Sequence, residues 1–103
     1  MFLLLVEMRA RSAMASELEN LLTALLEAAR DEPGTLIYAV HRQQEDAQAF
    51  VLYELYRDRA AWEVHCATEA VQQALRQFEN LLIAPPRLVF CNTLGMAGYV
   101  ADD

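Results

Sequence analysis

The run Ala49-Phe50-Val51-Leu52-Tyr53-Glu54-Leu55-Tyr56 constrains the fold more than any other stretch of this chain. Successive side chains of an extended strand point to opposite faces. Phe50, Leu52, Glu54 and Tyr56 therefore share one face, with Val51, Tyr53 and Leu55 on the other, and both faces carry large apolar groups. Such a strand needs cover on both sides. A chain of 103 residues has room for one domain with one core, so it is hard pressed to supply that cover itself.

The neighbouring segments show how one side is covered. Phe2 to Arg9, Leu36 to Arg42 and Arg87 to Leu94 read as three further strands, and the polar stretch Gln43 to Gln48 as a hairpin loop. Leu18, Leu21, Leu22, Leu25, Leu26 and Ala29 recur at helical spacing, behind a capping box predicted at Ser16 and Glu19. Glu32-Pro33-Gly34 ends that helix, because proline disfavours helical backbone before it and glycine permits a tight turn. Asp58 is placed to cap a short helical turn through Ala60, Trp62 and His65. Thr68 is placed to cap a longer helix on which Val71, Ala74, Leu75, Phe78, Leu81 and Leu82 share a face, up to Pro85-Pro86.

The order strand, helix, strand, strand, helix, strand predicts an α+β ferredoxin-like βαββαβ domain. Its four-stranded antiparallel sheet carries the helices on one face. The domain covers residues 1–103, with a core at about 2–94 and a tail at 95–103. The other sheet face stays bare, and the apolar content of 55% points to a second subunit, a ligand cavity, or both. Two sheets meeting over their bare faces would form a homodimeric α/β barrel with helices outside.

Composition removes several function classes. A formal charge of -7 argues against nucleic acid, whose phosphates require a basic face. The chain contains no lysine, which excludes a Schiff-base mechanism through a side-chain amine. Cys66 and Cys91 form no CxxC pattern, and His41 and His65 lack nearby acidic ligands, so no metal site is expected. Gly34, Gly95 and Gly98 form no phosphate loop, so no nucleotide cofactor is expected either. The start, Met1 to Val6, lacks a basic region and is interrupted by Glu7 and Arg9. It reads as a buried strand rather than a leader, and no run is long enough to span a membrane. The expectation is a cytoplasmic protein with reduced cysteines.

Glu32-Pro33-Gly34 followed by Leu36 and Tyr38, then Phe50 to Tyr56, then Asp58, Ala60, Ala61 and His65, resembles the signature of the antibiotic biosynthesis monooxygenase family. The resemblance covers nearly the whole chain. It implies a dimeric α/β barrel with a pocket between sheet and helices in each subunit. It also implies oxidation of a small quinol-like or polycyclic aromatic compound by O₂ without metal or flavin. The family includes haem-degrading enzymes and an isomerase of a phosphorylated quorum-sensing hydroxy-ketone, so kinship alone leaves the reaction open. The haem-degrading branch has a ligating histidine where this chain has Leu75, and an asparagine where it has Glu7, which disfavours haem degradation. Family members often carry an aromatic residue where Val71 stands, a difference that reshapes the pocket.

An oxygenase without a cofactor needs a base that ionises the substrate hydroxyl, because the anion is the species that passes an electron to O₂. His65 is the first candidate, since imidazole titrates near neutral pH, and Trp62 lies on the same helical turn. The alternative role for His65 is packing at a helix junction. Glu54 is the second candidate, a carboxylate among apolar neighbours, where burial or a partner such as His65 or Arg57 would shift its titration; a structural hydrogen bond is its alternative. Tyr38 and Tyr56 offer hydroxyls, Trp62 and Val71 pocket walls, and Asn92 a hydrogen-bonding amide; packing and turn roles are the alternatives. An isomerase would instead need a cationic phosphate site, for which Arg9, Arg42 and Arg57 are the available side chains. A non-enzymatic dimeric module that binds a metabolite is the third possibility.

Overall fold

A computed structural model describes residues 1–98. Its elements are β1 (Phe2–Arg9), α1 (Ala15–Ala29), β2 (Thr35–Arg42), β3 (Ala49–Tyr56), α2 (Arg59–Cys66), α3 (Glu69–Leu81) and β4 (Arg87–Asn92). The four strands form one antiparallel sheet in the order β2-β3-β1-β4, the ferredoxin-like arrangement that the alternation of elements predicts.

Register decides which residues meet. Leu4 pairs with Glu54 and with Phe90, Val6 with Leu52 and with Leu88, and Tyr38 with Glu54. Cross-strand partners share a face. One face therefore carries Leu4, Val6, Met8, Tyr38, Val40, Phe50, Leu52 and Glu54. Its apolar members form one core with Leu18, Leu22 and Leu25 of α1 and with Ala74, Phe78 and Leu81 at the inner side of α3. Leu18 and Leu22 are fully buried, each stabilising the fold by about 2 kcal/mol. On the opposite face Leu55 is buried, while Leu3, Leu5, Ile37, Val51, Tyr53 and Val89 are only half-buried.

The helix caps at Asp58 and Thr68 form as predicted, accepting from the backbone N–H groups of Ala61 and Val71. The capping box at Ser16 does not. A turn in which the Met14 N–H bonds to the Arg11 carbonyl, with Ala13 in the left-handed region (φ 68°), brings the chain into the helix at Ala15. Ser16 thus lies inside the first turn, and Met14 occupies the cap position without a side-chain bond. The last strand ends at Asn92 rather than Leu94, because Asn92 pairs with Phe2 and β1 extends no further. Leu75, predicted on the buried face of α3, is half exposed, at 51%. Residues 99–103, the end of the predicted tail, lie outside the described residues.

Candidate active site

Between the sheet and the helices lies a cavity of about 230 Å³, lined by Leu4, Val6, Leu52, Val71, Ala74 and Phe78 among other apolar side chains. A cavity of roughly 150 Å³ holds one benzene ring, so this volume suits a compound of one or two rings. Tyr38, Glu54, Trp62, His65 and Cys66 also border it. Leu88, on the helix-side face of β4, borders the cavity while about half exposed, and Phe90 of the same strand packs edge-on to Trp62 of α2 with centroids 5.2 Å apart.

The polar end is assembled from four separate segments. The Asp58 cap sets the phase of α2, so that Trp62 and His65, three residues apart, both turn inward. The His65 side chain is 6% exposed, and its Nε2 lies 4.0 Å from Glu54 Oε1. Its ring sits between two tyrosines, with centroids 5.5 Å from Tyr38 and 5.4 Å from Tyr56. On its far side, Nδ1 lies 2.8 Å from Glu32 Oε1. Glu54 is buried and accepts a 2.6 Å hydrogen bond from the Tyr56 hydroxyl.

Burial pushes the Glu54 carboxyl above the usual carboxylate range, while the Tyr56 hydroxyl and His65 pull it back. Burial, followed by the neighbouring carboxylates, also drives the hydroxyls of Tyr38 and Tyr56 upward, so both remain protonated donors. The same causes raise the Cys66 thiol. Among the described residues no three potential ligands converge as a metal site requires. The array is instead an imidazole bracketed by two carboxylates, which can accept a proton on one side and stabilise the resulting cation on both.

The structure thus brings together His65, Glu54, Tyr38, Trp62 and Val71 at one cavity. Tyr56 stands behind Glu54 as its donor, not in the cavity wall. Asn92 is exposed at the end of β4 and is not among the lining residues. Glu32 is the partner that the sequence reading misses. Glu32-Pro33-Gly34 announces a turn, and nothing local announces that the turn will dock on the helix bearing His65. Gly34 explains the docking: a Cβ there would lie 2.5 Å from the Ala61 Cβ on α2.

The three arginines considered for a phosphate site do not meet at this cavity. Arg9 pairs with Asp46, and Arg42 bonds to Glu19 at 2.8 Å. The Arg57 guanidinium donates to the Pro33 carbonyl at 3.3 Å.

The family model for "Antibiotic biosynthesis monooxygenase" matches residues 1–77. Among solved structures, PA3566 of Pseudomonas aeruginosa is 32% identical, covering 91% of this chain and 94% of that one, with a TM-score of 0.85. A crystal structure of an antibiotic biosynthesis monooxygenase is 25% identical over 92% of this chain and 100% of that one, TM-score 0.85. Rv0793 of Mycobacterium tuberculosis is 25% identical over 94% and 98%, TM-score 0.88. An uncharacterised Synechocystis protein, sll1783, is 27% identical over 63 residues; the match spans 61% of this chain and 43% of that protein's length.

Proposed function

The chain belongs to the antibiotic biosynthesis monooxygenase family, and from that premise we propose that it oxidises a small one- or two-ring quinol-like aromatic compound with O₂, using no metal or flavin. The observation that carries this reading is the join of a 230 Å³ apolar cavity to a buried carboxylate–imidazole–carboxylate array. The substrate ring lies among Leu4, Leu52, Val71 and Ala74, with its hydroxyl at the polar end. A gap of 4.0 Å between His65 Nε2 and Glu54 Oε1 is too long for a hydrogen bond, but it lets one hydroxyl oxygen reach both groups.

His65 Nε2 takes the hydroxyl proton, and the two carboxylates stabilise the imidazolium. At about 4 Å and an effective dielectric near 20, one such pair contributes about 4 kcal/mol. The resulting electron-rich anion passes an electron to O₂, and recombination forms a C–O bond. At that ring carbon the O–O bond then breaks: the C–H hydrogen and the hydroxyl proton held by His65 leave with one oxygen atom as water and the other oxygen remains as a carbonyl, so hydroxyarene and O₂ give quinone and water without an external reductant. The apolar walls keep bulk water from the anion.

The same reading includes a homodimer, with the half-buried sheet face of Leu3, Leu5, Val51 and Tyr53 covered by a second copy. It also includes work in the reducing cytoplasm, with Cys66 and Cys91 as free thiols. An isomerase of a phosphorylated substrate gains no support at this cavity, which no arginine lines.

The test is oxygen uptake with a panel of one- and two-ring quinols. His65→Ala is expected to lower kcat by about 10² to 10⁴, the range for a lost general base, and Glu54→Gln by a smaller factor. Unchanged turnover in His65→Ala removes the proposed base. No uptake with any member of the panel removes the oxygenase reading.

A further inference from the structure

We propose that Glu32 is a positioning residue: it fixes His65 in the tautomer that carries its proton on Nδ1, which leaves the Nε2 lone pair facing the cavity. This rests on the reading of His65 as the base and adds what makes that base competent. A neutral imidazole has one donor nitrogen and one acceptor, and the hydrogen bond made by one nitrogen decides the role of the other. With the proton on Nε2, His65 could donate toward Glu54 but could not take a proton from a substrate.

Two features of the molecule bear on the choice. The first is the bonding of Glu32. Its Oε1 lies 2.8 Å from His65 Nδ1 and also accepts from the Thr35 hydroxyl at 2.7 Å. An ionised carboxylate only accepts, so the ring nitrogen facing it must donate. The two side chains are 14% and 6% exposed, so water competes little for either.

The second feature is the way the turn is held. The Thr35 N–H closes it onto the Glu32 carbonyl at 3.1 Å, and the Arg57 N–H ties the Gly34 carbonyl to the end of β3 at 2.9 Å. With Gly34 seated against Ala61, the carboxylate stands on a fixed support rather than on a free loop. On the Nε2 side, Glu54 at 4.0 Å attracts the ring proton electrostatically without hydrogen-bonding it, whereas Glu32 at 2.8 Å holds the proton on Nδ1 directly.

The tautomer can be read directly from long-range ¹H–¹⁵N correlation spectra at a pH where the ring is neutral. His41, the other histidine, is exposed, so His41→Gln leaves His65 as the only imidazole. The expected spectrum shows Nδ1–H. In Glu32→Met, of similar length but without an acceptor, the ring is expected to switch to Nε2–H. Quinol oxidation should then lose about 10²- to 10⁴-fold in kcat, the range for a base held in the wrong tautomer, with KM changed by no more than about twofold.

A parent spectrum showing Nε2–H overturns the proposal, and so does a folded Glu32→Met that keeps Nδ1–H. If Glu32→Met does not fold, the parent spectrum decides alone. Absence of oxygen uptake alongside a Glu32-dependent Nδ1–H state removes the monooxygenase reading and leaves the positioning role standing.

Discussion

Replacing Tyr56 by phenylalanine removes one oxygen atom and keeps the ring, so it isolates what the hydroxyl does for Glu54. That hydroxyl donates to a buried carboxylate at 2.6 Å, and the Glu54 side chain is 6% exposed, so water has little room to replace it. A hydrogen bond to a charged group contributes roughly 1.5–3 kcal/mol, and one between neutral groups about 1 kcal/mol. Tyr56→Phe should therefore destabilise the fold by about 2 kcal/mol when Glu54 is ionised, and by about 1 kcal/mol when it is protonated. For a domain of this size the larger loss lowers Tm by roughly 8–16 °C.

The sign of the pH dependence follows from linkage. Burial holds the folded-state pKa of Glu54 above its ordinary value, so the folded protein binds that proton more tightly than the unfolded chain. Ionising Glu54 thus costs stability: the penalty is absent below the ordinary carboxylate range and complete above the folded-state value. The Tyr56 hydroxyl limits the penalty by favouring the charged form, and its removal deepens it. Urea unfolding of both proteins at a series of pH values from the ordinary carboxylate range upward should show a difference that widens as pH rises through the folded-state value. A difference constant across that series, or a Tm within about 2 °C of the parent throughout, refutes the reasoning.

Gly34→Ala should cost about 1–3 kcal/mol in the same urea assay, because the new Cβ would sit 2.5 Å from the Ala61 Cβ and the turn must back away from α2. A variant as stable as the parent would mean that the close approach is not maintained in solution. Light scattering at low micromolar concentration should give twice the 11.7 kDa chain mass, and a monomer would show that the apolar sheet face needs no second copy.

The elements of the fold were legible because their signals are local. Alternation along Phe50 to Tyr56, the leucine spacing from Leu18 to Leu25, and the caps at Asp58 and Thr68 each depend on a few adjacent residues, and each formed as read. His65 and Trp62 were legible as neighbours for the same reason, since helical pitch alone brings residues three apart together. Ser16 misled because a capping pattern describes what a side chain could do. The turn at Arg11 to Met14 decided where the helix began. Asn92 lies outside the cavity wall, and its place at the end of a strand carries no local signal of which side chains will line a cavity.

The chain by itself determined a split βαβ domain, an acidic surface without lysine, and an imidazole close in sequence to a tryptophan. Only the tertiary structure decided what surrounds that imidazole. Glu32 and Glu54 lie 33 and 11 positions before His65, on a turn and a strand whose approach to α2 depends on the sheet register and on the missing side chain at Gly34. Periodicity reports which side of its own element a residue occupies. Which carboxylate meets which ring nitrogen is a matter of ångströms between elements, and packing sets that distance.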